Sequence, residues 1–141
     1  METLEIPNAL LLAEVSDCIA GGHEVVIRTK GSSMLPFIRG DRDSVRLYRK
    51  EAVEVGDIVL AEISPGCYVL HRVFAIDGDR LTLMGDGNIR GRESCRTCDV
   101  KGTVKEIIHP DGSRKVPGNG RFWRRLLPFR RIILGIYRRI I

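Results

Sequence analysis

The sequence predicts a mainly β domain with one helix in front of it and a basic amphipathic helix behind. Three observations carry that expectation. Between residues 24 and 109, apolar residues recur at every second position in short runs separated by Gly-Asp and Ser-Pro-Gly turns. Glycine is plentiful, at 15 of 141 residues, while aromatics make up only 6%. That balance suits a turn-rich β fold better than a helix bundle. A helical period replaces the alternation only near the two ends of the chain.

Residues 7–20 are the first helical stretch. Pro7 or Asn8 can start it, Leu11, Val15, Cys18 and Ile19 fall on one stripe, and Gly21-Gly22 stop it. "EVVIRT" (24–29) then predicts a strand leading into "KGSSMLPFIRGD" (30–41). "DSVRLYR" (43–49) alternates with Val45 and Leu47 inward. "DIVLAEI" (57–63) and "CYVLHRVFAI" (67–76) flank "SPG", a three-residue hairpin loop. "DG" turns the chain into "RLTLM" (80–84), and a last strand lies near "KGTVKEIIH" (101–109). Residues 1–112 are therefore expected to form one domain, and the polar, Gly- and Pro-containing stretch 113–121 to link it to a tail.

The tail, residues 122–141, has two faces on a helical period. Arg121, just ahead of it, joins Arg124, Arg125, Arg131, Arg138 and Arg139 on one face with Pro128 and Gly135. Phe122, Trp123, Leu126, Leu127, Ile133, Leu134, Ile136, Tyr137, Ile140 and Ile141 share the other. Arg130 is out of place, and Pro128 divides the segment into two helical pieces. A basic amphipathic helix with tryptophan on its apolar side is the composition of an interfacial membrane binder. The alternative, a helix packed on the domain with solvated arginines, fits less well because the segment holds no acid.

Charge bounds the partners. Residues 117–141 carry seven arginines, so the other 16 basic residues face 18 acidic ones and residues 1–120 have a net charge of −2. The body is mildly acidic, which argues against nucleic acid as a partner. Cys18, Cys67, Cys95 and Cys98 do not make a secreted disulfide framework in a chain this long. "CRTC" has the spacing of half a zinc site without a second half, so neither a metal nor another cofactor is expected. "ALLLAEV" is flanked by Glu5 and Glu14 with no basic region ahead of it, which excludes a signal peptide reading. No run approaches the roughly 20 apolar residues that cross a bilayer.

Chemistry concentrates at two places. A serine hydroxyl is a poor nucleophile at neutral pH and needs a base within hydrogen-bond reach. Ser33 stands in "GSSMLP", and His71 stands 38 residues later in "YVLHRV". On that strand Val69, His71 and Val73 point one way, and Tyr68, Leu70 and Arg72 the other. Flanking valines desolvate the ring, and desolvation favours the uncharged imidazole that a general base must be. The bland alternative is a core histidine satisfied by a backbone carbonyl. Lys30 is the rival base, but on an extended strand its side chain leaves on the face opposite Ser33.

"GSSMLP" followed by "GD", "GDIV", "YVLHRV", "MGDGN" and "VKGTV" resembles the type I signal peptidase family, which shares its fold of coiled β-sheets with the self-cleaving domain of the LexA repressor. The ordered boxes span roughly residues 24–108. The resemblance implies a serine endopeptidase that cuts a precursor peptide near small residues at a membrane surface. The usual bacterial branch pairs its serine with lysine, whereas another branch places histidine there, as His71 does. Carried over box by box, Ser33 is the nucleophile, His71 the general base, and Asp86 the acid that steadies the imidazole from its far nitrogen. Asp86 is otherwise a turn aspartate.

Gly31 stands where the family often has an oxyanion-binding serine, a form that resembles the LexA side. Backbone N–H groups near Ser33, helped by Ser32, would then bind the oxyanion. Met34 would line the substrate pocket or pack in the core. Gly85 and Asn88 are turn formers, and Glu93 is the one acid in "IRGRES", where the family commonly has another. The absence of an N-terminal anchor points to a peripheral enzyme at the cytoplasmic face, held by residues 122–141 on anionic lipid. Two other readings stay open: a LexA-like regulator that cleaves itself, with Ala20-Gly21 as the small-residue bond, and a non-catalytic interaction module on the same fold.

Overall fold

The computed structural model describes residues 8–30, 34, 37, 38, 40, 42–87 and 91–118. It is mainly β: one helix and an antiparallel sheet of eight strands. In chain order these are α1 (Asn8–Ala20), β1 (Val25–Arg28), β2 (Ser44–Tyr48), β3 (Ile58–Ser64), β4 (Cys67–Asp77), β5 (Arg80–Met84), β6 (Glu93–Arg96), β7 (Val100–Ile108) and β8 (Arg114–Lys115), with a short 3-10 turn at Thr97–Asp99. The strands lie in the order β1-β2-β7-β3-β4-β5-β6, and β8 pairs with β7. Although β4 and β5 separate them in the sheet, β3 and β6 touch, so the sheet curls back on itself.

Each element follows from its local sequence. α1 presents Val15 and Ile19 to the core, with Leu11 and Leu12 beside them, one helical turn apart. It ends in a Schellman motif. The His23 N–H donates to the Cys18 carbonyl and the Gly22 N–H to that of Ile19, with Gly22 at φ 91°. Cys18, expected on the buried stripe, is exposed, because the stripe follows 11, 15 and 19 and turns position 18 outward. The helix sits close to β7: a Cβ added at Gly102 would stand 2.8 Å from Ile19 Cδ1.

Two cores line the two faces of the sheet. Ile58 and Leu60 join the helix-side cluster with Val45, Leu47, Val104 and Ile107, whereas Val59 and Ala61 join Val73, Leu81, Leu83 and Cys95. Burial on both faces is why "DIVLA" reads as a continuous apolar run. Each large side chain buried there contributes roughly 1.5–3 kcal/mol of transfer free energy.

Several expectations change. β3 and β4 meet through a two-residue loop, Pro65-Gly66, because Ser64 already pairs with Cys67. β6 was not anticipated, since its four residues, Glu93–Arg96, carry no apolar alternation. The expected linker 113–121 begins as structure: Arg114 and Lys115 pair with Ile108 and Ile107, beyond the point where β3 leaves β7. The expected tail helix, 122–141, lies outside the described residues.

Candidate functional site

β4 carries the candidate base. His71 lies opposite Val59 of β3 and is 5% exposed. Its Nδ1 lies 2.7 Å from Glu93 Oε2, the first residue of β6. An ionised carboxylate only accepts, so this contact places a proton on Nδ1, which leaves Nε2 as the ring atom that can act as a base.

Strand register explains how residues 22 positions apart meet. Val73 pairs with Leu83 and Leu83 with Glu93, so the three lie in one row across β4, β5 and β6 on the face that His71 shares. Because Arg72 pairs with Met84, one further step sets Gly85 across from His71. A glycine there raises no side chain between the imidazole and β6. Arg92, just before Glu93, lies over the Phe74 ring at 4.4 Å and ties the start of β6 to β4.

Asp86 has different work. Its carboxylate is held by Arg72, with Nε at 2.9 and 3.0 Å from the two oxygens and Nη2 at 2.7 Å from Oδ2. Both side chains are nearly sealed from solvent, at 3% and 2% exposed. The Nη1 of Arg72 donates to the carbonyls of Gly56, at 2.8 Å, and Gly118, at 2.6 Å. The acid on the imidazole Nδ1 is thus Glu93, and the assignment of that contact to Asp86 is corrected. The reason is strand geometry: Arg72 and His71 are neighbours and project to opposite faces, and Asp86 lies on the Arg72 side. Glu93 could have been found from sequence only by recognising β6 and counting register across the hairpin.

Ser32 and Ser33 lie outside the described residues, as do Gly31 and Asn88. Their described neighbours are placed. Met34, the residue after Ser33, is 4% exposed and packs in the helix-side core. Its Sδ accepts from the Asp86 backbone N–H at 3.4 Å. Its carbonyl accepts from the N–H groups of Phe37 and Ile38, each at 3.0 Å. The Arg72 guanidinium stands 5.3 Å from the Phe37 ring. Met34 is therefore anchored on the Arg72 face of the sheet, at β4 and the end of β5, whereas His71 projects to the other face. Of the two roles weighed for Met34, core packing describes its surroundings. Lys30 is exposed.

The cysteines stay free thiols, with Cys95 buried and Cys98 exposed. Burial pushes the Cys95 thiol up to about 11, away from reactive thiolate. Among the described residues no group of three or more His, Cys, Asp or Glu could hold a metal ion. Among them, too, no helix is long and apolar enough to cross a membrane. No family model matches the chain, and no curated protein matches it either.

Proposed function

We propose that the chain is a serine endopeptidase resembling signal peptidase, in which Ser33 attacks a peptide carbonyl and His71 takes its proton. The observation that carries this reading is the His71–Glu93 contact, a buried imidazole with Nδ1 committed to a carboxylate at 2.7 Å. A core histidine needs one backbone carbonyl, not an ionisable side chain brought from two strands away.

In this mechanism Nε2 accepts the Ser33 Oγ proton as Oγ bonds to the carbonyl carbon. The Glu93 carboxylate steadies the imidazolium while it exists. Nε2 then gives the proton to the departing amine nitrogen, and the peptide C–N bond breaks to leave an acyl ester on Ser33. Water attacks that ester, loses a proton to Nε2, and Oγ leaves by taking it back. Backbone N–H groups near Ser33 and the Ser32 hydroxyl are the proposed oxyanion donors, each contributing roughly 2.7–4 kcal/mol to transition-state stabilisation. Arg72 and Asp86 brace the end of β5 against β4.

The proposed substrate is a precursor peptide with small residues at the cut, met at the cytoplasmic face of a membrane that residues 122–141 bind. The test compares protein N-termini in cells carrying the wild-type chain or Ser33→Ala. A set of N-termini lost in the variant, each following small residues, is expected. Identical sets would reject the assignment.

A further inference from the structure

The connection from β1 to β2 carries both serines, and its mouth is tied more firmly than hairpin pairing requires. Pairing of the two strands ends at Arg28 with Ser44. One position further in, the Thr29 backbone N–H donates to the Asp43 carbonyl at 3.0 Å, and the Thr29 hydroxyl donates to the same oxygen at 2.9 Å. Thr29 is 7% exposed and Asp43 3%. A carboxylate so deeply buried requires a partner, and His109 provides one, with Nδ1 at 3.1 Å from Asp43 Oδ1.

His109 is itself fixed by the turn that follows β7. Its N–H donates to the Ser113 carbonyl and its carbonyl accepts from the Gly112 N–H, both at 2.9 Å. Asp111 accepts from the Ser113 N–H and hydroxyl, closing that turn. A line of contacts thus runs from the 109–113 turn through His109 and Asp43 to Thr29, four positions before Ser33.

We propose that Asp43 is a positioning residue for Ser33, held in that role by His109. The inference rests on the reading of Ser33 as nucleophile. Backbone pairing alone leaves a long hairpin connection free to twist about its neck. The second Thr29 donor and the lateral tie to the β7 turn fix Thr29 and Asp43, the two ends from which that connection departs. Small misplacement of a reacting group is costly: about 1 Å can lower rate by about 10²-fold. For stability alone an apolar side chain at position 43 would serve as well as a buried carboxylate with its partner.

The test uses the full chain, a fluorophosphonate probe that phosphonylates an activated serine, and hydrogen exchange at the Thr29 amide. His109 is 35% exposed, so its replacement leaves the core intact. His109→Ala is expected to slow Ser33 phosphonylation about tenfold or more, to speed Thr29 exchange by a similar factor, and to lower the melting temperature, since the buried Asp43 carboxylate loses this partner. His109→Gln, which keeps an N–H for Asp43, is expected to recover most of both effects, and Asp43→Asn to behave like His109→Ala. Wild-type labelling rates in His109→Ala and Asp43→Asn would overturn the proposal, as would unaltered Thr29 exchange. Should the wild-type chain not be labelled at all, the peptidase reading fails. The neck is then decided by the Thr29 amide alone, and equal exchange in wild type and His109→Ala overturns it.

Discussion

Neighbouring residues on β4 take opposite tasks because a strand turns successive side chains to opposite faces. His71 meets Glu93 on one face, and Arg72 meets Asp86 on the other. The two carboxylates should therefore respond differently to substitution. Glu93→Gln keeps the side chain's shape and loses the charge that fixes the imidazole tautomer. It is expected to lower the rate of peptide cleavage by about 10²–10⁴-fold with little change in unfolding free energy. It should also abolish the downfield proton resonance that a carboxylate-bonded Nδ1–H of His71 gives in NMR. Asp86→Ala leaves a guanidinium buried without its counter-charge and is expected to cost about 3–5 kcal/mol in urea unfolding. The reverse pattern, with the resonance lost in Asp86→Ala and kept in Glu93→Gln, would return Asp86 to the base. The pairing of His71 with an acid was legible in the sequence, but the identity of that acid was not. It depends on a register across three strands, one of which has no hydrophobic signature.

At the scale of elements, the strands that alternate strongly were legible to within a residue or so of their ends. β4 was expected at 67–76 and spans Cys67–Asp77, and β5 was expected at 80–84 and spans Arg80–Met84. Alternation gives a strand's face, and Val45 and Leu47 are fully buried as that pattern required. What alternation cannot give is pairing between polar segments, so β6 and β8, both held by neighbours rather than by their own apolar content, were missed. Helix placement has a test of its own. Gly102→Val pushes a branched side chain into Ile19 and is expected to cost about 1–3 kcal/mol, read as a lower urea midpoint. Burial of Cys95 beneath β3 and β5 makes a second one. Its thiol is raised from 9.0 to about 11 in the folded chain, so above pH 9 the unfolded chain releases the proton first. The stability contributed by this group is present below pH 9 and falls until pH 11. Cys95→Val should flatten the loss of stability across that window, and an unchanged slope would place the effect elsewhere.

For the whole molecule, the division of charge matters most. The body is near neutral, whereas residues 117–141 hold seven arginines and no acid. Binding to anionic vesicles is therefore expected to fall steeply as salt rises, and to weaken when Arg124, Arg125, Arg130 and Arg131 are replaced by glutamine. Salt-independent binding, or binding indifferent to those changes, would count against an electrostatic anchor. A folded sheet and a base held by a carboxylate amount to a catalytic site only if Ser33 is activated. The most direct measurement is the intact mass of the chain after reaction with a fluorophosphonate, with the modified residue mapped by peptide sequencing. One adduct on Ser33 in the wild type, and none in His71→Ala, is the result predicted. Equal modification of Ser33 with and without His71, or none in the wild type, would contradict it.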